Sequence, residues 1–318
     1  LWTESFYFYK MNDKLLVLGT MAYDAIESPF GKTGKILGGC ATYIGLAASK
    51  FKTSCGLVSV VGGDFKKAHL ELLKSSGLDL SGVDCLSSEK TFFWSGKYHN
   101  DLNLRTTLDT QLNVLAKFKP KVPDNFKDSS IVLLGNLDPN IQGEVLNQMR
   151  DPSLIIMDTM NFWIDSYRDK LDEVISKVDV FSLNDEEARQ ITRTHSLVEA
   201  AQKLHAMGPS YIIIKKGEHG ALLFNGEKIF CAPALPLEEV FDPTGAGDSF
   251  IGGFAGYLSQ CGRITFEEMK SATVMGSAIA SFTVQKFGTE SLQAITPERL
   301  KQRIQAFKTL TKFEIELT

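Results

Sequence analysis

From Lys14 to residue 224 the chain alternates apolar runs of strand length with amphipathic stretches of helix length, and no other feature restricts its fold as strongly. Residues 15–19, 56–61, 131–135, 154–158, 178–182, 211–215 and 221–224 read as strands. Residues 39–51, 65–75, 141–149, 169–176, 185–191 and 197–207 carry the helical period between them. Strands separated by helices can pair in parallel, and right-handed crossovers then put helices on both faces of the sheet. The expected class is therefore α/β, with a doubly wound, mostly parallel sheet.

One segment departs from this rhythm. Residues 90–107, KTFFWSGKYHNDLNLRTT, carry aromatic and alternating side chains without a helical period, which predicts extended strands outside the main sheet. Phe92, Phe93, Trp94 and Tyr98 would be a liability unless a ligand or a second subunit covered them. The segment is accordingly expected to form a small β lid, at about residues 90–107, inserted into one domain spanning 11–318. Edges of such lids tend to pair, so a homodimer through the lid is expected. Residues 1–10, which precede Met11, are set aside as an upstream extension or an expression remnant.

Composition excludes several classes. With 318 residues, 43% of them hydrophobic, the chain can bury a large core. No run approaches the roughly 18 apolar residues that span a bilayer, and no secretory signal pattern is present. Its 34 basic and 38 acidic side chains leave a net charge of -4, which does not favour a polyanion such as DNA. Cys40, Cys55, Cys85, Cys231 and Cys261 form no C-x-x-C pair and read as small buried hydrophobes in a reducing cytoplasm. Gly31-Lys32-Thr33 is similar to the end of a P-loop, but Ile26 stands where that motif requires glycine.

Open α/β sheets bind ligands beyond the carboxyl ends of their strands. The strongest candidate there is Asp242-Pro243-Thr244-Gly245-Ala246-Gly247-Asp248, followed by the small-residue helix SFIGGFAGYLSQ. Gly245 and Gly247 can take conformations barred to other residues and expose N–H groups at a helix start, where the macrodipole favours an anion. Asp248 falls in the first turn beside that spot. It either complements the dipole or accepts the proton of a hydroxyl that attacks a phosphoryl group.

The run DPTGAGD resembles the D-T-x-G-A-G-D signature of the ribokinase-like (PfkB) carbohydrate kinases, departing only at Pro243. The resemblance implies that Asp248 is the catalytic base and that the Gly245, Ala246 and Gly247 backbone forms an anion hole. Gly38-Gly39, opening a helix through Tyr43, is similar to the family's substrate-approaching glycine pair, and Asp24 to its hydroxyl-binding acid. Val61-Gly62-Gly63-Asp64 resembles the V-G-x-D turn. Asn184-Asp185-Glu186-Glu187 matches the N-x-x-E motif, which implies that Asn184 and Glu187 handle Mg²⁺ and phosphate through waters. Lys215-Lys216-Gly217-Glu218-His219-Gly220 resembles the G-x-x-G loop that borders the nucleotide, making Lys215, Gly217, Gly220 and Thr244 the implied nucleotide contacts. ATP and Mg²⁺ are the implied cofactors, with K⁺ as a monovalent cation at the Asp242 and Thr244 carbonyls. On their own, Asn184 and Glu187 also fit a helix capping box, and Gly217 and Gly220 a hairpin.

Two departures bear on the substrate. Tyr43 stands where ribokinase-like sugar kinases often carry asparagine. Asp158-Thr159-Met160-Asn161-Phe162-Trp163 lacks the final arginine of the D-x-N-x-R run of some fructokinase-like members, which disfavours a phosphosugar. Tyr43, Trp163 and the lid aromatics can stack on a base, with Tyr98 and Asn161 as further candidate substrate contacts, so a sugar and a nucleoside both stay open. The expected reaction is in-line transfer of the γ-phosphoryl of ATP to a primary hydroxyl, with Asp248 as general base. Two alternatives are a vitamin kinase, against which the inserted lid argues, and a non-catalytic sugar- or nucleotide-binding relative, against which the retained Asp248 argues.

Overall fold

The computed structural model describes residues 11–314, so the set-aside residues 1–10 lie outside the described residues, as do 315–318. In chain order the first part comprises β1 (Lys14–Leu18), β2 (Ala22–Ser28), β3 (Gly31–Lys32), β4 (Ile36–Gly38), α1 (Cys40–Ala48), β5 (Ser54–Gly62), α2 (Lys67–Ser75), β6 (Leu78–Leu86), β7 (Phe93–Tyr98) and β8 (Arg105–Gln111). There follow β9 (Ile131–Leu134), α3 (Pro139–Leu146), β10 (Leu154–Asp158), α4 (Asn161–Ser166), α5 (Arg168–Ile175), β11 (Val180–Asn184), α6 (Asp185–Thr192), α7 (Leu197–His205), β12 (Tyr211–Lys215), β13 (Ala221–Asn225) and β14 (Lys228–Ala232). The chain closes with α8 (Ala246–Cys261), α9 (Phe266–Thr283), α10 (Glu290–Gln293) and α11 (Pro297–Thr311).

The main sheet has the order β14-β13-β12-β11-β10-β9-β1-β5-β6. Pairing is parallel from β12 through to β6 and antiparallel only for β12–β13 and β13–β14. The expected doubly wound α/β architecture is thus present. Successive side chains of a strand point to opposite faces, and β1 feeds two cores: Leu15 and Val17 pack on the side of α1, α8 and α9, Leu16 and Leu18 on the side of α3, α5, α6 and α7. Strand order changes direction at β1, between β9 and β5, the kind of point at which open α/β sheets bind ligands.

The second sheet is larger than the sequence predicts. Its order is β3-β2-β7-β8, with β4 also on β2, so residues 22–38 build half of the lid expected from residues 90–107. The strand β2 escaped recognition because its buried face carries the polar residues Asp24 and Ser28 beside Ile26, so burial alternates where hydropathy does not. The lid aromatics are also covered differently from expectation. Phe93 and Tyr98 are only 8% and 6% exposed within the single chain, and Phe92 and Trp94 are half-buried. Phe93 pairs in register with Tyr23 and lies under the Lys35 ammonium at 4.5 Å. All seven residues of β8, in contrast, are exposed. Cys40 and Cys55 are buried as expected, whereas Cys85 and Cys231 are exposed, because both sit on strands at the outer ends of the main sheet. Among the described residues no helix is long and apolar enough to cross a membrane.

The helix α8 is clamped between α1 and α9 at backbone distance. A Cβ at Gly252 would fall 2.5 Å from the Ile44 carbonyl oxygen, and one at Gly256 2.9 Å from the Ala48 Cα. Contacts that close admit no side chain unless the helices separate. Gly252→Val is therefore expected to destabilise the protein by roughly 1–3 kcal/mol and to reduce activity with it. The urea midpoint and specific activity check this, and an unchanged midpoint would show that the helices tolerate separation.

Candidate active site

Three neighbouring parallel strands deliver polar residues to one line. β10 ends at Asp158, β11 at Asn184 and β12 at Lys215, with Asn184 in register with Lys215. The Lys215 ammonium donates to the Asp158 carboxylate at 2.6 Å, in an ion pair whose side chains are 16% and 6% exposed. Burial pulls the Lys215 pKa down, but Asp158 and Glu187 outweigh it and hold the ammonium above its ordinary value. Asn184 and Glu187 do form the capping box of α6: each side chain accepts the other's backbone N–H, both at 2.8 Å. Glu187 is buried, and burial pushes its carboxyl up to about 7 against the opposing pull of Lys215.

The N-terminus of α8 meets this line. Gly245 is left-handed, φ 74°, and its open side is filled by the Tyr43 ring, which a Cβ would approach to 2.5 Å. The Ala246 N–H turns back to the Pro243 carbonyl at 3.1 Å, and Ser249 donates to Gly245 at 2.8 Å. This leaves the N–H groups of Gly245, Gly247 and Asp248 without an acceptor among the described residues, a cluster of donors suited to an anion. Ala246, expected to share that role, contributes its backbone to the turn. A Cβ at Gly247 would lie 3.4 Å from the Lys215 nitrogen, so the ammonium borders the same cluster. Asp248 is pushed up to about 7, first by burial and then by Asp158, with Lys215 and Arg105 opposing.

The opposite wall comes from β2, β4 and α1. The Asp24 carboxylate occupies the space that a side chain at Gly38 would fill, so only glycine fits there. Burial raises Asp24 to about 7, the Gly39 N–H opposes, and the charges of Asp242 and Asp248 add to the rise. The Tyr43 hydroxyl is buried with no hydrogen-bond partner among the described residues. The Thr244 hydroxyl donates to that of Tyr98 at 3.1 Å, joining the lid to the anion loop. The Asp242 carboxylate accepts the N–H groups of Thr244 and Gly288, both at 2.9 Å, and so fastens two loops. Asn161 is not brought into this group: its amide donates to Gln190 on α6 at 2.7 Å.

A cleft of about 1000 Å³ opens on the outer side of Lys215 and Gly247. Leu235, Leu237, Val240 and Val284 give it apolar lining, and Lys215 and Gly247, whose N–H is free, give it polar lining. Such a lining can take a ligand with both an apolar and an anionic part. Gly217 and Gly220 do lie in the loop between the antiparallel strands β12 and β13, and both line the cleft. The lid loop at residues 100–103 covers it, since a Cβ at Gly217 would fall 2.6 Å from the Asn103 side-chain oxygen. Arg105 was not singled out in the sequence; it pairs with Tyr98 across β7 and β8, and its charge reaches Asp248 and Glu187. No motif marks it, and the alternation of the lid strands was the only available signal. Among the described residues no cluster of three or more acidic, histidine or cysteine side chains is suited to hold a metal.

The chain matches the pfkB family carbohydrate kinases over residues 12–295. It is 33% identical over 269 residues to the cytidine kinase of Thermococcus kodakarensis, covering 80% of this chain and 94% of that protein. It is 29% identical over 307 residues to a nucleoside kinase of Methanothermobacter thermautotrophicus, covering 91% and 94%. The fold is similar to the crystal structure of a putative ribokinase II from E. coli in complex with ATP and Mg²⁺, with a TM-score of 0.77 and 19% identity, covering 92% of this chain and 99% of that one.

Asp24, Glu187 and Asp248 are all raised to about 7, far above their unfolded values of about 3.9 to 4.3. Between those limits the folded state binds more protons than the unfolded state, so stability falls as pH rises. The unliganded protein is expected to melt at a higher temperature at pH 5.5 than at pH 8, and Asp24→Asn to narrow the difference. Thermal scans at the two pH values test this, and equal midpoints for the unsubstituted protein would refute it.

Proposed function

The chain belongs to the pfkB family of carbohydrate kinases, and from that premise we propose that it phosphorylates the primary hydroxyl of a nucleoside, with Asp248 as general base. The family supplies the reaction class: ATP-dependent transfer of a phosphoryl group to a hydroxyl of a sugar or nucleoside. One observation carries the assignment of the base. Asp248 stands where the free N–H groups of α8, the Lys215 ammonium and the acceptor wall at Asp24 converge. The names of the two relatives given above, a cytidine kinase and a nucleoside kinase, support a nucleoside over a free sugar.

In this reading Asp24 holds acceptor hydroxyls and turns the primary one toward Asp248, which takes its proton as the oxygen attacks. The N–H groups of Gly245 and Gly247 stabilise the transferring oxygens, a contribution on the order of 3 kcal/mol per well-placed donor. Lys215 and Arg105 hold the polyphosphate from two sides. Mg²⁺, when bound, neutralises phosphate charge, and Asn184 and Glu187 hold it through waters. K⁺ beside the Asp242 and Thr244 carbonyls would stiffen the loop that Asp242 already fastens to Gly288. The exposed β8 edge is the surface through which two copies pair, and free cysteines suit a reducing cytoplasm.

Asp248 accepts a proton only when ionised, so kcat/KM is expected to fall as pH drops below about 7. Asp248→Asn is expected to lower kcat by about 10²- to 10⁴-fold while leaving nucleotide affinity close to that of the unsubstituted protein. Acceptor-dependent ADP release, measured with Mg²⁺-ATP and with or without K⁺ against nucleosides, pentoses and hexoses, tests both. Full turnover in the variant would remove Asp248 from the chemistry, and turnover with sugars alone would overturn the nucleoside. For the lid contact, light scattering after size exclusion should give twice the 35.2 kDa chain mass; a monomer at micromolar concentration would refute it.

A further inference from the structure

One face of the second sheet looks into the acceptor site, and strand register identifies its members. On the parallel pair β2–β7, Asp24 lies beside Trp94 and Ile26 beside Gly96; on β7–β8, Gly96 lies opposite Thr107 and Tyr98 opposite Arg105. Partners in register share a face, as do residues two apart on a strand. Asp24, Trp94, Gly96, Tyr98 and Arg105 therefore point the same way. That direction is toward the site, because the Asp24 carboxylate lies on Gly38 and the Tyr98 hydroxyl meets Thr244 of the anion loop.

Trp94 has an unusual disposition on this face. Its six-membered ring occupies the space that a side chain at Gly96 would need, so the indole lies flat along the sheet. The indole N–H reaches toward the Thr107 hydroxyl at 3.4 Å, and the Arg105 guanidinium lies over the ring, 5.9 Å from its centroid. The sheet covers one side of the ring, and the side chain remains half-buried. The other aromatics near the site are committed to packing. Tyr43 is fully buried with its ring against Gly245. Trp163 donates to the Asn136 side chain at 2.8 Å and meets Phe162 and Tyr167 edge-on at 4.9 and 5.3 Å between centroids.

We propose that Trp94 is the platform on which the base of the acceptor stacks while its ribosyl hydroxyls lie on Asp24, so that Trp94 sets the preference for nucleosides over free sugars. The proposal rests on the nucleoside reading above. Neighbouring strands are about 4.8 Å apart, and a ribosyl ring on Asp24 puts its attached base within reach of the next strand at Trp94. Stacking tolerates any base, since each has a π face, so the platform selects the class of acceptor and leaves the choice of base to other contacts. Gly96 becomes a second determinant, because any larger residue there lifts the indole off the sheet.

The test compares the unsubstituted full chain with Trp94→Ala, Trp94→Phe and Gly96→Val. In Trp94→Ala the ratio of kcat/KM for cytidine or adenosine to that for ribose is expected to fall about tenfold or more, mainly through the nucleoside KM. Trp94→Phe, which keeps a smaller ring, should lose less, and Gly96→Val should lose nearly as much as Trp94→Ala. Nucleoside, and not ribose, should also quench the part of the tryptophan emission that Trp94→Phe removes; the chain contains 3 tryptophans, and this subtraction isolates one of them. Nucleoside turnover with an unchanged ratio in Trp94→Ala, or no quenching by nucleosides, would overturn the platform while leaving the nucleoside kinase intact. Turnover of sugars alone by the unsubstituted protein would overturn both. If Trp94→Ala does not fold, the Trp94→Phe and Gly96→Val ratios and the quenching decide the matter.

Discussion

The close approach of α8 to α1 and α9 is the constraint on which the site depends. Gly252 and Gly256 let the α8 backbone rest on Ile44 and Ala48 of α1, so the two helices move as one body. Their N-termini carry the two halves of the site. The start of α1 brings Gly39 and Tyr43 to the acceptor wall, and the start of α8 brings Gly245, Gly247 and Asp248 to the anion side. The Tyr43 ring on Gly245 is the contact that joins them. A reaction between two bound molecules needs its partners held within a few tenths of an ångström, and backbone-to-backbone packing is stiffer than any contact made through long side chains.

Electrostatically the site works against stability. Asp24, Asp158, Glu187, Asp242 and Asp248 crowd one region, with Lys215 and Arg105 as the cations among them. Burial raises Asp24, Glu187 and Asp248 together, so none of these carboxylates is comfortable as an anion in the empty protein. Such strain is typical of places where a proton must be taken near neutral pH. The same excess of carboxylates would repel a bare triphosphate, whereas the free N–H groups of α8, the Lys215 ammonium and the Arg105 charge favour an anion. Divalent charge on the nucleotide relieves the remaining repulsion.

Much of this was legible in the sequence, and the exceptions have physical reasons. The central strands were visible because they are continuous apolar runs separated by amphipathic helices. The glycine loop was visible because its conformation at Gly245 excludes other residues. The strand β2 was hidden, since its buried face carries Asp24 and Ser28, and burial then alternates without an alternation in hydropathy. Arg105 was hidden because its place is set by pairing with Tyr98 across a turn, a tertiary fact without a local pattern. Asn161 was a candidate substrate contact because it follows a strand end, but it opens α4 and its amide turns to Gln190.

The turn Val61-Gly62-Gly63-Asp64 stands outside the site, and the hydrogen bonds around it explain what it does. The Asp64 carboxylate accepts both the N–H and the hydroxyl of Thr91, each at 2.7 Å, and the Thr91 hydroxyl in turn accepts the Gly62 N–H at 3.0 Å. Next to it, the Tyr23 hydroxyl accepts the Lys66 N–H at 2.9 Å. The two lid strands that leave the core, β2 at Tyr23 and β7 just after Thr91, are therefore rooted at one turn. Asp24 follows Tyr23 directly, and Trp94 and Arg105 lie further out on the same sheet. Any tilt of the lid about this root moves the hydroxyl-binding acid, the indole and the guanidinium together. In the proposed reaction an acceptor held by Asp24 and Trp94 would fix the guanidinium with them, so that filling the acceptor site and positioning Arg105 would be one event.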